Sequence, residues 1–193
     1  HLNQAAEAQQ DGDALSRFAG ELVPHGSVDG AHLVGAQAIE EDEAAPGRDQ
    51  VVDVEQVSRL VTEEGAARFR KTARSLAALL TPDLLLTSPL LRAKQTAEIL
   101  TAQWPAVPVK ESEPLGNGSR RGFEEALSKL SEAKLVVAVG HEPWHSEWTA
   151  EWLGAAHADS FAFKKGGAAL IDFDGEVSPG QGRLVFFAAP KAL

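Results

Sequence analysis

An arginine and a histidine in this chain each stand where an oxyanion can be held. The run Thr87-Ser88-Pro89-Leu90-Leu91-Arg92 sets Arg92 one turn into a helix that opens directly from a short apolar strand, Asp83 to Leu86. Ser88 is placed to cap the free amides of that helix, and Pro89 suits its first position, where a missing N–H costs nothing. At such a helix start the exposed amides and the positive dipole end favour an anion, and the planar donor fork of Arg92 matches phosphate oxygens. The second run, Leu135-Val136-Val137-Ala138-Val139-Gly140-His141, puts an imidazole at the carboxyl end of an apolar strand, where open α/β sheets place their ligand sites. The plainer reading of His141 is a capping residue with no chemistry.

Residues 141 to 145 also spell His-Glu-x-x-His, a pattern that binds zinc when both histidines share one face of a helix interior. Pro143 stands between them and would remove a helix hydrogen bond at a cost of about 3 kcal/mol. It fits instead the first turn of a helix that starts after His141, so no metal site is expected. Trp144, Trp148 and Trp152 recur every four residues and read as core packing along one helix side. Trp144 directly follows the turn at His141 and is the one of the three placed to line an entrance. Lys164 and Lys165, and Arg120 and Arg121, read as solvated basic pairs.

The elements that must position these residues follow from periodicity. Ala66, Phe69, Ala73, Leu76 and Leu80 step by three and four, giving a helix from about Thr62 with one stripe toward a sheet. A helix from Arg92 to about Gln103, a strand at Val107 to Val109, a helix over about 122–131 and the strand at Leu135 come next. Strands Ala168 to Phe173 and Arg183 to Ala188 flank the turn Ser178-Pro179-Gly180-Gln181-Gly182. Strands alternating with helices predict a three-layer α/β/α sandwich with a largely parallel central sheet. Residues 1–30 show no sustained apolar period and read as an N-terminal appendage to a domain over 31–193. The acidic segment Glu41 to Asp53 reads as a loop that can border a site.

The Ser88-to-Ala97 and Gly140-His141-Glu142-Pro143 runs together resemble the histidine phosphatase superfamily, whose fold is also that of phosphoglycerate mutase. Val61-Thr62-Glu63-Glu64-Gly65, Phe163-Lys164-Lys165-Gly166-Gly167 and Gly182-Arg183-Leu184 resemble its SixA-type phosphohistidine phosphatase branch. That resemblance implies Arg92 and His141 as catalytic and phosphate-binding residues. It also implies a metal-independent reaction without cofactor, in which a motif histidine attacks the phosphoryl group in line. The family begins with a strand ending in Arg-His-Gly or Arg-His-Ala, and this chain has no such tripeptide. With Ala31-His32-Leu33-Val34 as the first strand, Gly35 and Ala36 stand at the arginine and histidine positions. Leu22-Val23-Pro24-His25-Gly26 offers His25 as an alternative nucleophile, although Pro24 disfavours a central strand there. Glu142 or a carboxylate of Glu40 to Glu43 would be the proton donor in an active relative.

Three functions are thereby open: a catalytically impaired phosphatase relative that keeps a phosphate pocket, an active phosphohistidine phosphatase using His25, or an interaction scaffold. The implied partners are a phosphorylated protein or a small phosphate-bearing ligand. The chain's 193 residues suffice for one α/β core. Its net charge of −10 repels a nucleic-acid backbone. The absence of cysteine fits a reducing, cytoplasmic setting, and no apolar run approaches the roughly 18 residues a membrane span needs.

Overall fold

The computed structural model describes residues 31–38, 61–130 and 132–193. The expected appendage with His25 and the acidic segment 39–60 lie outside the described residues. Six strands form one sheet: β1 Ala31–Gln37, β2 Leu84–Thr87, β3 Val109–Glu111, β4 Leu135–Gly140, β5 Ala168–Phe173 and β6 Gly182–Ala188, in the order β3-β2-β4-β1-β5-β6. β1, β2, β3 and β4 run parallel, and β5 alone is reversed, lying antiparallel to both β1 and β6. The sheet is therefore largely parallel, as the alternation of elements predicts.

Alternate residues of the strands feed two separate cores, which is what makes three layers. On one face Val34, Ala36, Val137 and Val139 pack with Phe69, Ala73 and Leu76 of α1 (Glu63–Leu79) and with Ala93, Ala97 and Leu100 of α2 (Leu91–Thr101). On the other, Leu33, Val136 and Ala138 meet Phe123 of α4 (Arg120–Ser128) and Trp148 and Trp152 of α5 (Trp144–Trp152). A short α3, Pro114–Asn117, precedes α4. Each large apolar side chain so buried stabilises the fold by about 1.5–3 kcal/mol relative to exposure. Thr62 caps α1 as its position suggests, its Oγ1 accepting from the Gly65 amide at 3.1 Å, and Glu63 and Glu64 complement the positive helix end.

Three local expectations need correcting. Ser88 and Pro89 do not open α2, which starts at Leu91 with Leu90 as an N-cap that makes no side-chain cap bond. The Ser88 amide still donates to Val139 O at 2.9 Å, continuing the strand ladder, and a residue before proline is held extended, so helical geometry begins later. The third strand lies at 109–111 because Val107 is spent on a turn, its amide donating to Trp104 O at 3.0 Å. The helix expected over 122–131 runs from Arg120 to Ser128, capped by Ser119.

Candidate functional site

Because β2 and β4 are neighbours with Thr87 opposite Val139, the residues leaving their carboxyl ends meet. Arg92, one turn into α2, reaches back so that its Nε donates to His141 Nδ1 at 3.3 Å. His141 Nε2 lies 2.8 Å from Ser88 Oγ, and that oxygen also accepts from the Leu90 amide at 3.2 Å. The tautomer follows from these contacts. Nδ1 accepts from a guanidinium and must carry a lone pair, so the single proton of a neutral imidazole is on Nε2 and is donated to Ser88. His141 and Ser88 are buried, and the ring is held from both sides.

β1 adjoins β4 on its other side. Ala36 pairs with Val139 and with Ala168 of β5, and its methyl is buried in the core beneath α1 and α2. Gly35 faces the opposite layer, where a Cβ would meet His145 Nδ1 at 3.5 Å and Phe163 Cζ at 3.9 Å. Neither residue supplies a lone pair or a charge, and they sit inside the central strand. His25 lies outside the described residues.

A wall closes on this edge from α3. A Cβ at Gly116 would stand 2.9 Å from Pro89 Cδ, and one at Gly118, a residue with φ of 76°, would overlap the Trp144 indole. The short helix is thus seated against the Ser88-Pro89 turn and Trp144. Trp144 is half-buried and meets His141 edge-on with ring centroids 6.4 Å apart, whereas Trp148 and Trp152 are core residues.

Glu142, a candidate proton donor, also acts as a clamp: its carboxylate accepts from the Phe163 amide at 2.7 Å, from the Ser146 amide at 3.2 Å and from the Ser146 hydroxyl. Glu40 to Glu43 lie outside the described residues. Arg120 pairs with Glu124 and Glu151, Arg121 is exposed, and Lys164 and Lys165 are exposed at the turn before β5. The structure brings none of these four to His141. Pro143 is the N-cap of α5, so His141 stands before the helix and His145 in its first turn. Among the described residues no group of three histidines, aspartates or glutamates is arranged to hold a metal ion.

His145 is the residue that sequence reasoning passed over. It is buried, its Nε2 has no hydrogen-bond partner, and its ring hydrogen-bonds the Ala36 backbone. Burial, and after it the neighbouring His141, lowers its pKa to about 3, so it is neutral over the ordinary pH range. Its one sequence signal was membership of the His-Glu-x-x-His run.

Residues 53–117 match the family model of the histidine phosphatase superfamily (branch 1). A protein of Picosynechococcus sp., itself uncharacterised, is 41% identical over 95 residues; the aligned part is 47% of this chain and 57% of that relative, so the chain spans little more than half its length. Among solved structures, the SixA protein of Agrobacterium tumefaciens superposes with a TM-score of 0.66 at 21% identity, covering 83% of this chain and 98% of that one. A protein histidine phosphatase SixA complexed with tungstate gives 0.64 at 19% identity, over 83% and 97%. A mycobacterial glucosyl-3-phosphoglycerate phosphatase gives 0.65 at 16%, over 83% and 99%. Residues 53–117 are thus similar in sequence to the histidine phosphatase superfamily, and the described domain shares the fold of these solved structures.

Proposed function

We propose that this protein binds phosphoryl or related oxyanion groups between Arg92 and His141 and has lost the hydrolytic step. The observation that carries the reading is the Arg92–His141–Ser88 chain of contacts at the carboxyl edge of the sheet; the nucleophile's place is read as Ala36 of the neighbouring strand, which pairs with Val139 two residues before His141. A guanidinium and an imidazole held together by a buried hydroxyl are pre-organised to share an anion, and the amides at the start of α2 add to the attraction. Phosphoryl transfer through a phosphohistidine requires a nitrogen lone pair at position 36, and a methyl group has none. The ligand is then a phosphohistidine-bearing protein or a small phosphorylated molecule, taken up in the cytoplasm without metal or cofactor, by a domain over residues 31–193 to which residues 1–30 are an appendage.

Titration with vanadate or inorganic phosphate tests the pocket. Arg92→Ala should weaken binding by about 1.5–3 kcal/mol, roughly ten- to 150-fold, through loss of a charge-assisted bond. Turnover of a phosphohistidine peptide should stay near background and be indifferent to His25→Ala. Equal affinity in both proteins would leave the fold as a scaffold, and robust turnover abolished by His25→Ala would make His25 the nucleophile.

A further inference from the structure

Of the four tryptophans, Trp104, Trp148 and Trp152 are buried, and Trp144, the first residue of α5, alone keeps solvent-facing surface. It is also the one that touches the anion site, its ring meeting the His141 ring edge-on. The indole is held there by backbone. A Cβ at Gly118 would stand 2.4 Å from its Cε2 and Nε1 and 2.8 Å from its Cδ2, so α3 can pack on the ring only because position 118 carries no side chain. The fold thus fixes a flat, half-buried aromatic surface beside the histidine that the anion reading uses.

The neighbouring surfaces have the same character. Pro89 is half-buried and sits against α3, where a Cβ at Gly116 would be 2.9 Å from its Cδ. Leu91, the residue before Arg92, is among the exposed large hydrophobic side chains. Apart from the indole N–H, the side chains of Pro89, Leu91 and Trp144 hold no polar atom. A sugar or polyol carried on the phosphoryl group would give up water to these surfaces and find no acceptor for its hydroxyls. A flat hydrocarbon ring gains there, because aromatic pairs contribute beyond the area they bury.

We propose that Trp144 sets the ligand class of the site: the oxyanion taken up by Arg92 and His141 is a phosphate borne directly on a flat apolar ring, an aryl phosphate, whose ring lies against the indole. This rests on the reading of Arg92 and His141 as an oxyanion site and adds what the carrier of the anion must be. Charge and surface divide the work. Arg92 and His141 hold phosphoryl oxygens whatever bears them, and Trp144 reads the group beyond the bridging oxygen. An aliphatic phosphate ester satisfies the first pair and gains little from the indole.

Calorimetric titration with inorganic phosphate, methyl phosphate and phenyl phosphate tests the assignment. Wild-type protein should bind phenyl phosphate about tenfold or more tightly than methyl phosphate. Trp144→Ala should bring the two esters within about twofold of each other while leaving the affinity for inorganic phosphate within about twofold of wild type, and Trp144→Phe should keep most of the preference. Arg92→Ala should do the reverse, weakening all three ligands alike and leaving their ratio. Equal affinity of the wild-type protein for the two esters overturns the inference without any variant, so a Trp144→Ala protein that fails to fold does not shield it. A ratio that survives in folded Trp144→Ala overturns it as well. Phosphate binding without a preference for the ring defeats this inference alone, whereas wild-type protein that binds none of the three ligands sinks the oxyanion reading and this inference with it.

Discussion

Anion capture at this site should consume a proton, and the protonation state of His141 shows why. With Nε2–H donated to Ser88 and Nδ1 accepting from Arg92, the ring offers an incoming anion a lone pair where a donor is needed. An oxyanion lodged between Arg92 and His141 takes over the guanidinium and turns Nδ1 into an acceptor facing an acceptor. That repulsion is removed by protonating Nδ1, with Nε2–H left on Ser88. Among the described residues, Arg92 of α2 touches the ring and the neutral His145 of α5 neighbours it. One proton per anion changes affinity up to tenfold per pH unit wherever the ring starts neutral, equivalent to about 1.36 kcal/mol per unit. The sign is tighter binding as pH falls, levelling off once the free ring is already protonated. Sulfate is the suitable probe, being a dianion throughout the range, and calorimetry in buffers of different ionisation enthalpy counts the protons directly. Sulfate that binds with no net proton uptake and equal affinity at about pH 7 and pH 8 would refute the tautomer argument.

Two further outcomes concern the frame around the site. Gly118→Ala should lower stability by about 1–3 kcal/mol, because it imposes a side chain on a left-handed residue and drives it into Trp144, whereas Gly175→Ala, with nothing within 4 Å of its added Cβ, should be near neutral; chemical denaturation of both variants measures this. His145 has a folded-state pKa of about 3, below its usual value, so the unfolded chain binds the extra proton as pH falls below about 6.5 and stability declines from there toward pH 3. Between pH 7 and 5 the loss is about 2 kcal/mol, and His145→Ala should flatten that part of the profile; an unchanged slope in the variant would show that other groups control it.

The anion-gripping pair was legible in the sequence because its signals are local. A strand that stops at Gly140-His141 and another that stops at Ser88-Pro89 each announce a carboxyl edge, and parallel alternation puts such edges together. Gly35 and Ala36 are read as a gap only through the resemblance of the rest of the chain, and in the sheet they stand opposite Ala138 and Val139. The role of Ser88 was misread, since a serine before a proline and a helix has the composition of a cap; its bond to His141 depends on β2 and β4 being adjacent. His145 was hidden for a stronger reason. Its seat depends on two glycines 105 positions apart, Gly35 and Gly140, facing the same ring, and register across a sheet is not written in the periodicity of any one strand. Boundaries moved wherever a turn took residues that a propensity would give to a strand, as at Val107.

The place of β1 between β4 and β5 carries a consequence for what a likeness of shape can report. Its backbone amides and carbonyls are engaged on both flanks through Gly35 and Ala36, and that ladder is indifferent to which side chains the strand bears. The strand pairing at these two positions is therefore carried by the backbone, whatever chemistry their side chains would or would not supply. Resemblance of shape therefore reports the framework without reporting turnover.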